Sequence, residues 1–126
     1  MLPKKFRLKK RTAFKATYRT GTSFHKDGIT VFCGRKKNND SATKIGFVVS
    51  KKIHKRAVKR NRIKRLMRES MRLYIKNSVN FDTQYQSLIF VATSKLLDKN
   101  FNEVDSGMKK IMSKITNAWW NINTGT

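Results

Sequence analysis

The segment KRAVKRNRIKRLMRES, residues 55–70, contains eight Lys or Arg side chains and a single acid, Glu69. Guanidinium groups bind phosphate through paired hydrogen bonds and stack on nucleobases, and they lie on both sides of Asn61 here. The Asn61 amide offers a donor and an acceptor, which can bridge a phosphate or a 2′-hydroxyl to a neighbouring group. A solvated helix face usually mixes both signs of charge. This segment therefore predicts a surface that binds nucleic acid.

The rest of the chain agrees with a polyanionic partner. The formal charge is +23, and residues 1–68 carry 23 bases against 2 acids, whereas residues 69–126 carry 7 bases against 5 acids. Such a field favours nucleic acid or an anionic membrane. The longest apolar run, Leu88–Ala92, is far too short to span a bilayer. The basic N-terminus is followed by no apolar stretch, so we expect neither a secretory signal nor a membrane.

Groups that could catalyse a reaction are few. The chain has two histidines, His25 and His54, and one cysteine, Cys33, which is too little for a structural zinc site. The acids are scattered, and no glycine-rich phosphate loop is present. We expect no catalytic residue and no metal site in the protein, and we interpret Cys33 as a buried apolar residue that suits a reducing cytoplasm.

The hydrophobic pattern predicts one α+β domain over residues 1–126, with residues 1–11 as a mobile basic arm. Thr12 could cap a first helix that runs to about Tyr18 and ends at Gly21. Strands are predicted at 29–35, 44–52 and 87–93, the last one central, with a polar turn at 36–43. A helix is predicted at 55–75, and a capping box of Asn100 and Glu103 opens a final helix.

Both long helices have an apolar stripe at helical spacing. In the 55–75 helix the stripe consists of Ile63, Leu66, Met67, Ser70, Leu73 and Tyr74. In the final helix it consists of Phe101, Val104, Met108, Ile111, Ile115 and Trp119. Asn61, Lys64, Arg65, Arg68 and Arg72 lie opposite or beside the first stripe and are therefore expected to face a partner.

Three aromatic residues form a second candidate surface. Phe14 and Tyr18 are four residues apart and share one face of the first helix. Phe32 lies on the strand face opposite Val31 and Cys33. These rings could line a groove on which single-stranded RNA stacks. The alternative, that all three belong to the core, is the one that the pattern alone favours.

The segment KRNRIKRLMRES, residues 59–70, resembles part of the protein subunit of bacterial ribonuclease P. The central helix of that family carries Arg-Asn-Arg followed by Ile-Lys-Arg. GFVVSKK, residues 46–52, is similar to a strand of that family, and FRLKKRTAFKATYRTG, residues 6–21, to its basic arm and first helix. The resemblance covers about residues 6–93.

The resemblance implies a fold and a function. The fold is a small, mostly antiparallel sheet with helices in the order α-β-β-β-α-β-α, with a left-handed βαβ crossover, as in a ribosomal-protein-like RNA-binding fold. By this resemblance, the protein is expected to be a cytoplasmic cofactor of a catalytic RNA, which removes the 5′ leader from precursor tRNA with magnesium held mainly by the RNA. Its partners are that RNA and the leader, and no further protein is required.

The resemblance also implies roles for individual residues. Those expected to bind the catalytic RNA are Lys51, Lys52, Arg56, Arg60, Asn61, Arg62, Lys64, Arg65 and Arg68. Phe14, Tyr18 and Phe32 are expected to line the cleft for the leader, with Lys51 and Lys52 at its rim. The basic arm contributes Arg7, Lys9, Lys10 and Arg11.

Two other functions remain open. A ribosomal or other structural RNA-binding protein would explain the charge and size, but not the Arg-Asn-Arg core preceded by Ser-Lys-Lys. A protein-only, metal-dependent nuclease would need clustered carboxylates, which the sequence does not have.

Overall fold

Seven regular elements follow one another in a computed structural model that describes residues 2–35, 42–78 and 83–124, with side chains up to residue 116. The helices are α1 (Arg11–Arg19), α2 (Ala57–Lys76) and α3 (Phe101–Thr124). The strands are β1 (Thr22–Lys26), β2 (Ile29–Cys33), β3 (Lys44–Val48) and β4 (Ser87–Ala92). Short 3-10 turns lie at Lys4–Phe6 and Ser94–Leu96. The order α-β-β-β-α-β-α is confirmed, while most of the turn predicted at 36–43 lies outside the described residues.

The four strands form one mixed sheet in the order β1-β2-β4-β3. β2 pairs antiparallel with both β1 and β4, and β3 pairs parallel with β4. The prediction of a mostly antiparallel sheet with a central β4 is therefore confirmed. α2 connects the two parallel strands and completes the predicted βαβ unit, whose left hand stays a prediction.

One face of the sheet builds the core because the strands alternate. Ile29, Val31 and Cys33 of β2 are fully buried, whereas Thr30 and Phe32 on the other face are half-buried. α2 and α3 cover the buried face with the predicted stripes, which supply the core residues Ile63, Met67, Val104, Met108, Ile111 and Ile115. Gly107 lets α3 approach closely, since a Cβ there would lie 3.2 Å from Ile29 Cδ1. Trp119 lies outside the residues whose side chains are described.

The predicted helix ends are only partly correct. Asn100 and Glu103 form the capping box: the Asn100 N–H donates to Glu103 Oε1 at 3.1 Å and the Glu103 N–H to Asn100 Oδ1 at 2.9 Å. Gly21 follows α1 with a φ of +73°, a left-handed conformation that suits glycine. The prediction for Thr12 is wrong, because α1 starts at Arg11, with Lys10 as N-cap and no side-chain capping bond.

The N-terminal segment, predicted as a mobile basic arm over residues 1–11, packs against the sheet, and its mobility stays a prediction. Leu2 and Phe6 belong to the core. Arg7 pairs with Ile45 at the outer edge of β3, and the Leu8 N–H donates to the Ile45 carbonyl at 2.9 Å. Apolar side chains thus fix residues 2–8.

Cys33 is fully buried in β2, as predicted. This burial raises the pKa of its thiol to about 12, because the thiolate would have to exist without water around it. The thiol therefore stays protonated at neutral pH, where it acts as a small apolar side chain.

Candidate nucleic-acid interface

The buried side of α2 fixes which residues its other side presents. Ile63 and Met67 are buried in the core, and Ser70 Oγ donates to Asp105 Oδ1 of α3 at 2.7 Å. Together these contacts set the rotation of α2 about its axis. The exposed side then carries Asn61, Arg65 and Arg68, as predicted, with Lys64 half-buried beside them and Arg56 exposed at the N-cap.

The start of α2 adds to the positive potential of this side. Its first turn holds no acid, and no side chain caps its free N–H groups. The helix dipole places partial positive charge at this end, which favours an anion such as phosphate.

Arg60 shapes the segment that leads into α2. Its Nη1 group donates to the carbonyls of His54 at 2.9 Å and Lys55 at 2.7 Å. The Arg56 N–H donates to His54 Nδ1 at 3.0 Å, so His54 has a structural role here. The guanidinium of Arg60 therefore orders residues 54–56.

Arg62 connects α2 to the loop before α3. Its Nη2 group donates to the Lys99 carbonyl at 3.0 Å, and its side chain is half-buried. A charged donor makes a stronger hydrogen bond than a neutral one, so this contact holds the loop to the helix. Sequence reasoning missed both arginine contacts, because their acceptors are backbone carbonyls that no sequence pattern marks.

The one acid of the segment is already paired. Glu69 accepts from Arg72 Nη2 at 2.6 Å and from its Nε at 3.0 Å. The hydrogen bond to Arg72 lowers the pKa of the Glu69 carboxyl and raises that of the guanidinium. Glu69 therefore offsets the charge of Arg72 and leaves Arg65 and Arg68 free of an acidic partner in the described structure.

α1 crosses the opposite face of the sheet and forms the aromatic groove with it. Phe14 lies over Gly46, and the Tyr18 ring meets Phe32 edge-on with the ring centroids 4.9 Å apart. Phe14 and Phe32 are half-buried, and Tyr18 is 40% exposed. The alternative that these rings belong to the core therefore does not hold. Partial burial raises the pKa of Tyr18, so its phenol stays a hydrogen-bond donor at neutral pH.

The groove continues beyond the rings toward two lysines. Thr30, Val48 and Val91 lie on the same sheet face as Phe32 and are half-buried. Lys51 and Lys52 are exposed in the turn that follows β3. Their place at this end of the strand agrees with the predicted rim of the cleft.

A groove of about 320 Å³ joins the N-terminal segment to α2 around the edge of β3. Its cationic lining consists of Arg7, Lys9 and Arg68, and Phe14 and Gly46 form part of its floor. Lys10 and Arg11 are exposed just beyond it. The basic arm and the basic helix, which are distant in sequence, therefore belong to one cationic surface.

Replacing Gly46 should disturb the aromatic groove directly. A Cβ at this position would lie 2.7 Å from Phe14 Cζ and 2.8 Å from Phe14 Cε1, so the ring must move. We expect Gly46→Ala to lower the free energy of unfolding by about 1–3 kcal/mol, measured by urea titration. Phe14→Leu in the same chain should recover part of this loss, and strictly additive effects would contradict the contact.

Residues 2–35, 42–78 and 83–124 contain no group of three or more His, Cys, Asp or Glu residues that could hold a metal ion. His25 Nδ1 lies 2.8 Å from Thr30 Oγ1 and is thus engaged within the sheet. No helix in the described part of the chain is long and apolar enough to cross a membrane.

Comparisons with known proteins agree on one family. The model of the family described as ribonuclease P matches residues 2–116. The ribonuclease P protein component of Clostridium novyi is 32% identical over 113 residues, which are 90% of this chain and 96% of the relative. That of Clostridium kluyveri is 34% identical over 112 residues, which are 86% of this chain and 93% of the relative.

Solved structures agree with the fold. The Staphylococcus aureus RNase P protein superposes with a TM-score of 0.71 at 25% identity, covering 86% of this chain and 93% of that one. The Thermotoga maritima RNase P protein gives a TM-score of 0.70 at 24% identity and covers 86% of this chain and 96% of that one. At this identity it supports the fold alone. Since the family model spans most of the chain and the curated relatives align over nearly their whole length, the chain belongs to the ribonuclease P protein family.

Proposed function

We propose that this protein is the cofactor of a ribonuclease P in which an RNA subunit cleaves precursor tRNA. Membership in the family supports a role in tRNA processing. The protein binds the RNA subunit and the 5′ leader, in the cytoplasm, and magnesium is held mainly by the RNA. It needs no further protein partner.

The observation that carries this proposal is the exposed basic side of α2. Asn61, Arg65 and Arg68 are exposed, and Glu69, the single acid of residues 55–70, is paired with Arg72. Phosphates supply the missing negative charge, and the arginine forks match their geometry. The groove that joins Arg68 to Arg7 and Lys9 extends this surface for the RNA backbone.

The aromatic groove fits the single-stranded leader. Tyr18 and Phe32 meet edge-on, with 72° between their ring planes, and both rings are partly exposed, so that an unpaired base can stack on one of them. Because α1 and α2 cover opposite faces of the sheet, the leader and the RNA subunit occupy different sides of the protein. The two sides meet at the edge of β3, beside Phe14 and Arg68.

Reconstitution tests the proposal. Purified protein, magnesium and precursor tRNA are combined with and without the ribonuclease P RNA of the same genome. We expect cleavage at the tRNA 5′ end only when the RNA is present, and faster cleavage with the protein than without it. Cleavage by the protein alone would favour a protein-only nuclease, and no effect on the RNA-catalysed reaction would favour a structural RNA-binding protein.

Phe32→Ala should weaken binding of leader-bearing tRNA specifically. Loss of one stacking partner costs about 1–3 kcal/mol, or roughly 5- to 150-fold in affinity. Mature tRNA has no leader, so its affinity for the holoenzyme should barely change. The measurement compares both tRNAs with the same reconstituted holoenzyme.

Thermal unfolding of the free Phe32→Ala protein is the control. A buried core phenylalanine would destabilise the fold by roughly 3–5 kcal/mol and affect both tRNAs equally. A large fall in melting temperature without a leader-specific loss would remove Phe32 from the proposed cleft.

A further inference from the structure

Val58 is a solvent-exposed apolar residue on the basic helix α2. It is 77% exposed, whereas Tyr18, the other exposed large apolar side chain among the described residues, is only 40% exposed. Single exposed apolar residues are common on proteins and carry little information alone. The surroundings of Val58 are what distinguish it.

Val58 stands inside the surface that attracts phosphate. Asn61 and Arg62 follow it at three and four residues, so all three share one side of α2. Arg65 lies one turn further along the same side, and Lys59 is exposed next to Val58. A polyanion that these groups hold therefore covers Val58 as well and removes it from water.

The charge of the surroundings decides the kind of partner. A second copy of this chain carries the same net charge of +23 and is repelled from this side. RNA combines the two required surfaces, since the C–H faces of each ribose and base lie between successive phosphates. An apolar side chain between cationic ones fits that alternation.

We propose that Val58 packs against the apolar face of one nucleotide of the bound RNA, while Asn61 and Arg65 contact its polar groups. The inference rests on the proposed function and adds to it a contact that does not depend on charge. Val58 then contributes to affinity through removal of apolar surface from water.

The salt dependence of binding separates this contact from the ionic ones. We expect Val58→Ala to weaken binding of the ribonuclease P RNA about three- to tenfold, at every salt concentration. The slope of log K against log salt should stay unchanged, since no cation is removed. Arg65→Ala is the matched comparison on the same helix side, and it should reduce the steepness of that slope by about 0.7–0.9.

Val58→Leu keeps the apolar surface and should bind within about twofold of the original protein. Stability does not complicate the comparison, because alanine and leucine favour a helix more than valine does at an exposed position. An unchanged affinity of Val58→Ala for the RNA would overturn the inference. A shallower slope of log K against log salt for Val58→Ala would also overturn it. The same holds if Val58→Ala and Val58→Leu lose equal affinity. A change in self-association, measured by sedimentation, without an effect on RNA would instead assign Val58 to a protein interface. Failure of the unsubstituted protein to bind the RNA would reject the proposed function itself.

Discussion

Raising monovalent salt from about 50 to 200 mM should weaken binding of the RNA subunit roughly 250- to 1,000-fold. This expectation assumes that the basic surface neutralises about six phosphates, which gives a slope of log K against log salt near −4 to −5. The exposed side of α2 with Arg65 and Arg68, and the groove beside Arg7 and Lys9, supply cationic side chains for these contacts. Filter binding or fluorescence titration at four or five salt concentrations measures the slope.

Single substitutions test which cationic side chains produce the slope of log K against log salt. Arg68→Ala should reduce its steepness by about 0.7–0.9, because one phosphate contact is lost. Arg72→Ala should change it less, since Arg72 is already paired with Glu69 at 2.6 Å. A slope near zero for the unsubstituted protein would exclude the electrostatic account altogether.

Arg62→Ala should weaken both the fold and the binding of RNA. It removes the charged donor to the Lys99 carbonyl, which costs about 1.5–3 kcal/mol of unfolding free energy. RNA binding should fall roughly 10- to 100-fold, because a phosphate contact and the position of the loop before α3 are lost together. Urea unfolding of the free protein and RNA titration of the same sample measure the two effects.

Arg65→Ala is the control for this pair of measurements. Arg65 is exposed on the same helix, so its loss should weaken RNA binding. The free energy of unfolding should stay within about 0.5 kcal/mol of that of the unsubstituted protein. If Arg62→Ala unfolds like the original protein, the contact with Lys99 is not important for stability. If both variants lose RNA affinity equally, bulk charge explains the interface better than the position of Arg62 does.

The parts of the fold with a strong hydrophobic period were predictable from the sequence. β2 alternates strictly between buried and half-buried residues, and the stripe of α3 from Val104 to Ile115 recurs at helical spacing. The capping box at Asn100 and Glu103 is a local motif whose two hydrogen bonds need no tertiary context. In these stretches, local chemistry and tertiary packing favour the same structure.

Other parts depend on contacts that the sequence does not mark. The sequence did not predict the residue bounds of β1. This edge strand has no fully buried side chain and alternates only between exposed and half-buried positions. The arm at residues 2–8 reads as basic, yet Leu2 and Phe6 bind it to the core. The basic side of α2 was predicted from its charges, whereas the contact of Arg62 with a carbonyl 37 residues away was not.

The position of residues 2–8 has a practical consequence for solubility. β3 is the last strand of the sheet, and the pairing of Arg7 and Leu8 with Ile45 occupies part of its outer hydrogen-bonding edge. Without that cover, Ile45 and its neighbours would offer free backbone groups to the same strand of another molecule. The N-terminal segment thus protects the edge of β3 from self-association. An N-terminal tag that displaces this segment would favour precipitation once RNA or high salt screens the repulsion between the cationic chains.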